Sequence, residues 1–199
     1  QSAWSLPDGS HLRPEAAARV RPWAAASAEF DCEFTLVSSD AVFTGPWMFH
    51  RESGNSFCET NPARVLRLIE KEVADSNPEA CIIRTNVFGW SPSGDTPSFV
   101  NSLVDALRNE QPFEADCVCH ATPILATDFA GILARSFEHR LRGLFHLGGG
   151  ERINPFRFAS LLADEFHLNP ASLIPVESAS EDRKEFGCGE TSLQTRKLR

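Results

Sequence analysis

The chain has 199 residues, 42% of them hydrophobic and 23% charged, which is ordinary globular material with room for one large domain or two small ones. Its net charge of -8 and isoelectric point near 5.2 exclude partners that need a clustered positive field, so neither nucleic acid nor an anionic membrane is expected as a partner. No apolar run approaches the roughly 18 residues of a membrane span.

Gln1 to Pro14 is rich in Ser, Pro, Asp and Gly and reads as loop. Pro14-Glu15-Ala16-Ala17-Ala18 opens a helix, and Pro22 is expected to kink or divide it near Arg21. Phe34 to Val37 is a short, continuously apolar strand, the pattern of burial on both faces of a parallel sheet. Thr44 to Thr60 is a long Gly/Ser/Asn-rich loop carrying Trp47, Phe49 and Phe57. Val65, Leu66, Leu68, Ile69 and Val73 then fall at helical spacing, to about Asp75, and Asn77-Pro78 ends that helix. Ala80 to Ile83 is a second buried strand with Arg84 to Gly89 as its exit, so strand, helix and strand predict a right-handed parallel unit. Beyond it the pattern predicts a helix over Pro97 to Asn109, a strand over Phe113 to Cys119 and a helix over Thr127 to Phe137. A strand over Leu144 to Leu147 then leads through Gly148-Gly149-Gly150 to a helix over Pro155 to Glu165.

Two local patterns carry less chemistry than they suggest. The triple glycine matches neither G-x-G-x-x-G nor G-x-x-x-x-G-K-[ST], so it reads as a sharp turn. Cys117-Val118-Cys119-His120 alternates across a strand and has no second ligand pair, so no metal is expected. The six cysteines are irregularly spaced and read as buried free thiols. With no signal peptide recognised in the opening residues, a reducing, cytoplasmic setting is expected.

The most informative stretch is Ser38-Ser39-Asp40-Ala41-Val42-Phe43. It resembles the strand end S-[ST]-D-x-V-F of the extended short-chain dehydrogenase/reductases, in the branch of the dTDP-4-dehydrorhamnose reductases. That branch pairs the second hydroxyl with a Tyr-x-x-x-Lys opening a later helix. The corresponding window here is Asn61-Pro62-Ala63-Arg64-Val65-Leu66-Arg67, which puts Ala63 in place of Tyr and Arg67 in place of Lys; the chain contains no Tyr. Later segments resemble the same family in order: Thr122-Pro123 with Asp128-Phe129-Ala130, Gly143 to Leu147, Phe158-Ala159, Thr191-Ser192-Leu193 and Lys197-Leu198.

The resemblance implies an α/β fold, a partial Rossmann-like parallel sheet lacking its N-terminal strands, with a small C-terminal sugar-nucleotide-binding lobe. It implies a division into residues 1–112, the remainder of the NAD(P)-binding domain, and 113–199, mainly the substrate lobe, with the chain crossing between the two. The family's glycine-rich turn, whose helix N-terminus holds the cofactor pyrophosphate, has no counterpart here, so NAD(P) is expected of the complete family fold and is doubtful for this chain alone. The strand Phe34 to Val37 is then expected to have a bare edge, covered by a second chain, the missing half or the N-terminal segment.

By resemblance, Ser39 hydrogen-bonds the sugar carbonyl, Arg67 replaces the lysine and Ala63 leaves the acid position inactive. Ser38, Arg67, Thr85 and Asn86 fall to the cofactor, and Ser39, Asn86, Thr122 and Pro123 to the sugar nucleotide. His50, Glu52 and Glu59 are the nearest substitute proton donors by sequence, with solvated surface as their alternative. The implied protein binds a sugar nucleotide and is non-catalytic or impaired as a reductase. Two alternatives stand beside it: an active NAD(P)H-dependent 4-keto-sugar reductase with a substituted proton donor, and a regulatory or interaction subunit that has lost both ligands. In the first reading, Ala63→Tyr with Arg67→Lys is expected to create activity.

Overall fold

The computed structural model describes residues 12–91, 97–179 and 182–198. Most of the expected opening loop, residues 1–11, lies outside the described residues, and so does any cover it gives the sheet edge. The fold is α/β, with three parallel strands in the order β1 (Thr35–Ser39), β2 (Cys81–Thr85) and β6 (Gly143–Leu147). Alternation along these strands sorts the side chains onto two faces. Leu36, Ile82 and Leu144 meet α1 (Glu15–Glu29) and α2 (Asn61–Ser76) through Val20, Ala24 and Val73. Cys81, Ile83, Phe145 and Leu147 meet α4 (Ala126–Glu138) through Phe129, Ile132 and Leu133.

A second core forms beside this sheet. The faces of α3 (Phe99–Arg108) and α5 (Pro155–Glu165) close on β4 (Phe113–Asp116), which pairs in parallel with β7 (Leu173–Val176). Thus α3 packs with elements that lie far along the chain, whereas β6 returns to the first sheet. A short parallel pair, β3 (Val87–Phe88) with β5 (Ile124–Leu125), links the two cores.

Several expectations change. Pro22 neither divides nor ends α1, which runs through it to Glu29. The ring sits on the exposed side, and the buried Ala17 and Ala24 on the other side hold the helix against the rest of the fold. Both buried strands also extend two residues beyond their apolar runs, because Ser38, Ser39, Arg84 and Thr85 remain paired in register. The strand expected to reach Cys119 stops at Asp116, whose carboxylate accepts the N–H groups of Val118 at 2.7 Å and Cys119 at 2.5 Å and so turns the chain. β7 had no counterpart in the sequence pattern. All six cysteines are free, but Cys32 is exposed and Cys117 and Cys188 are half-buried. Among the described residues β1 pairs with β2 alone, and Val37 is 48% exposed.

Candidate functional site

The carboxyl ends of β1 and β2 stand where ligands of parallel sheets collect. There Asp40, 2% exposed, gathers three donors. Asn86 Nδ2 and Thr191 Oγ1 donate to Oδ2 at 2.9 and 2.7 Å, and Ser39 Oγ donates to Oδ1 at 3.2 Å. Burial raises the Asp40 pKa to about 6 against these hydrogen bonds, which pull it down. Ser39 also accepts the Ala41 N–H at 3.1 Å, so its hydroxyl closes the turn after the strand. Thr85, beside Ser39 in register and on the same face, carries a buried hydroxyl without a partner. Ser39 and Asn86 are thereby brought together on Asp40, with Thr85 beside Ser39.

The opposite face of the same strand ends is different. Ser38, Arg84 and His146 are neighbours in register across the three strands. Ser38 Oγ donates to Glu70 Oε1 at 2.6 Å, and Arg84 holds both oxygens of Glu70 at 2.9 and 2.6 Å. The Ser38 hydroxyl is therefore committed to α2. The loop expected over Thr44 to Thr60 folds across this face: Phe43 stacks on His50 at 4.4 Å, and Arg84 lies over the Phe43 ring at 4.9 Å. His50 is buried, not solvated, with Nε2 at 3.0 Å from the Glu190 carbonyl. Glu52 accepts the His146 N–H at 3.1 Å, while Glu59 stays exposed and pairs with Arg64. His146 is fully buried and burial drives its pKa down to about 4. Trp47 and Phe49, at the loop tip, are exposed.

Ala63 packs against Ala41 in the turn that follows β1, and neither Ala63 nor Arg67 bonds to the Asp40 cluster. Ala63 is 0% exposed, enclosed by Ala41, Cys58 and Phe186. Arg67, one turn on, lies over Phe57 at 4.6 Å and 3.8 Å from Glu59. Among the described residues no hydrogen bond or ion pair joins Arg67 to Ser39, Thr85 or Asn86.

Thr122 and Pro123 are buried. The Thr122 hydroxyl accepts the Leu193 N–H at 3.1 Å, which ties the 191–193 segment across the site. The triple glycine belongs to the same contact: a Cβ at Gly149 would lie 2.2 Å from the Pro123 carbonyl oxygen, and one at Gly148 2.7 Å from that of Thr122. Those two positions need glycine for close backbone approach. Cys119 Sγ accepts the Gly189 N–H at 3.1 Å, and His120 Nδ1 lies 2.6 Å from the Val118 carbonyl, so both are used internally.

Glu70, Asp40, Thr191 and His146 were not singled out as ligand-binding or catalytic from sequence. Glu70 did leave a signal: a carboxylate between Ala63 and Val73 on the buried stripe of α2 requires a buried counter-charge, which Arg84 supplies.

A family model described as the RmlD substrate binding domain matches residues 13–199. The chain belongs to this family. Among solved structures, a dTDP-4-dehydrorhamnose reductase from Bacillus anthracis in complex with NADP is 17% identical with a TM-score of 0.77; the match covers 90% of this chain and 61% of that one. A hypothetical dTDP-4-dehydrorhamnose reductase from Sulfolobus tokodaii is 23% identical with a TM-score of 0.75, covering 90% of this chain and 62% of that one. MoeE5 in complex with UDP-glucuronic acid and NAD is 18% identical with a TM-score of 0.68, covering 89% and 61%. These likenesses establish the Rossmann-like fold, and the chain spans about three fifths of the length of each. None of the curated proteins matches.

Proposed function

We propose that this member of the RmlD family binds a sugar nucleotide at the carboxyl edge of the sheet and does not perform the family's reduction. Ser39, Thr85 and Asn86 present the polar groups, Asp40 holds Ser39 and Asn86 in place, and Thr122-Pro123 backs the pocket under the 191–193 segment. The observation that carries the reading is Ala63. By the resemblance it stands where the family has its proton donor; here it is a fully buried methyl walled in by Ala41, Cys58 and Phe186, and the chain has no Tyr. A positioned general acid contributes a factor of roughly 10²–10⁴. The solved relatives with NADP or with UDP-glucuronic acid and NAD support the ligand class.

The test is calorimetric titration with dTDP-glucose and UDP-glucose, together with NADPH oxidation in the presence of a dTDP-4-keto sugar. Binding with turnover far below roughly 1 s⁻¹ is expected. Turnover at or above that rate overturns the non-catalytic reading, and absence of sugar-nucleotide binding overturns the site.

One observation favours the active-reductase alternative. Asp40, adjacent to Ser39 and raised to about 6, is a carboxyl group that stays partly protonated near neutral pH. If it donates the proton, activity falls as pH rises through about 6, and Asp40→Asn abolishes it.

A further inference from the structure

A serine hydroxyl has one proton to give and two lone pairs to offer. At Ser39 one lone pair accepts the Ala41 N–H at 3.1 Å, and the proton goes to Asp40 Oδ1 at 3.2 Å. An ionised carboxylate only accepts, so while Asp40 carries its charge Ser39 has its second lone pair left and nothing else. Ser39 is 8% exposed, not sealed.

The two oxygens of Asp40 are not equivalent. Oδ2 accepts from Asn86 Nδ2 at 2.9 Å and from Thr191 Oγ1 at 2.7 Å, and an amide nitrogen cannot reverse its role. Oδ1 has the single, longer side-chain bond to Ser39. A proton arriving on Oδ1 therefore disturbs least: that bond reverses, Asp40 donating to Ser39 Oγ, and both bonds at Oδ2 survive. Ser39 then has its lone pairs filled by Ala41 and Asp40, and its own proton turns outward. Burial, which raises the carboxyl pKa to about 6, brings this state close to neutral pH. The charged groups around Asp40 are engaged elsewhere. Glu190 is turned to Arg152 and Ser192, His120 to the Val118 carbonyl and His50 to that of Glu190. Arg84 and Glu70 pair on the opposite face of the strands, and α2 meets the turn at Ala41 with the apolar Ala63 and Leu66.

We propose that Asp40 is a specificity-determining residue that sets whether Ser39 offers its ligand a lone pair or a proton. Given a sugar nucleotide at the carboxyl edge, on which this rests, ionised Asp40 makes Ser39 an acceptor that suits a sugar hydroxyl. Protonated Asp40 makes it a donor that suits a sugar carbonyl. One buried carboxyl group thus selects between the alcohol and the ketone forms of the same ligand without touching it.

The test is calorimetric titration of the protein with two sugar nucleotides that differ only at the 4-position of the sugar: dTDP-6-deoxyglucose, with a hydroxyl there, and dTDP-4-keto-6-deoxyglucose, with a carbonyl. Both are measured at pH about 7.5 and about 5.5, either side of the Asp40 titration at about 6. The two ligands share their nucleotide, so any other titration acts on both and cancels in the ratio of affinities. That ratio is expected to move about 3- to 10-fold towards the carbonyl on acidification, the worth of one hydrogen bond. Asp40→Asn is expected to fix the carbonyl preference at both pH values, because the new amide turns its oxygen to the donors of Asn86 and Thr191 and its nitrogen donates to Ser39. A ratio that stays constant with pH in the parent overturns the proposal and leaves the sugar-nucleotide reading standing. A folded Asp40→Asn that keeps the parent's preference at the higher pH does the same. Binding of neither ligand at either pH overturns both.

Discussion

At the scale of single residues, burial has set two titrations against each other. Asp40, raised from 3.8 to about 6, binds its proton more tightly in the folded chain. Its contribution to stability is present below pH 3.8 and lost as pH rises through about 6. His146, lowered from 6.5 to about 4, behaves in the opposite sense, contributing above pH 6.5 and losing that contribution as pH falls through about 4. The two windows overlap and the slopes oppose, so these groups together give the parent little pH dependence across this range. Asp40→Asn is expected to unmask a loss of stability on acidification, of about 1–3 kcal/mol, between neutral pH and pH near 4. Urea denaturation at the two pH values measures it, and a variant with the parent's flat profile would contradict the burial argument. The same scale corrects the repair of the acid position. With Ala63 enclosed on all sides, Ala63→Tyr with Arg67→Lys is expected to overpack the α2 contact at a cost of about 1–3 kcal/mol and not to create turnover. Thermal denaturation and an NADPH assay on the variant decide between the two outcomes.

At the scale of elements, α2 is joined to the sheet by charge as much as by apolar packing. Glu70 accepts from Ser38 on β1 and from Arg84 on β2, so one carboxylate fixes the helix over both strands. Glu70→Ala leaves Arg84 buried and unpaired, with an expected loss of about 3–5 kcal/mol. Glu70→Leu combined with Arg84→Met is expected to regain most of that loss, because neither buried charge remains. Chemical denaturation of the single and double variants tests the point; equal losses in both would show that the pair does more than neutralise itself. In α1, Pro22 occupies a helix interior that it disfavours by about 3 kcal/mol relative to Ala. Since the ring is exposed, Pro22→Ala is expected to raise the melting temperature.

At the scale of the whole molecule, the edge of β1, unpaired among the described residues, is the feature that most constrains behaviour. A parallel strand with one paired side and an exposed Val37 presents a row of backbone donors and acceptors to any other strand. The isolated chain is therefore expected to self-associate through this edge, and Val37→Lys to shift it towards monomer, as measured by sedimentation. Equal association in both proteins would show that the edge is covered in solution.

The helical spacing of α2, the apolar runs of β1, β2 and β6 and the frame around Ser39 were legible in the sequence, because periodicity and short-range turn chemistry are written in neighbouring residues. So was the absence of Tyr from the 199 residues. The pairing of Glu70 with Arg84, the burial of His50 and His146, the link from Asp40 to Thr191 and the position of β7 depend on contacts between residues far apart in the chain. Tertiary packing also decided where each hydroxyl is committed: Ser38 and Ser39 are adjacent in sequence, yet strand alternation turns one to Glu70 and the other to Asp40 at the carboxyl edge. Local sequence specifies which side chains each element offers, whereas long-range packing determines which of them meet, lose water and acquire the charge states on which a site depends.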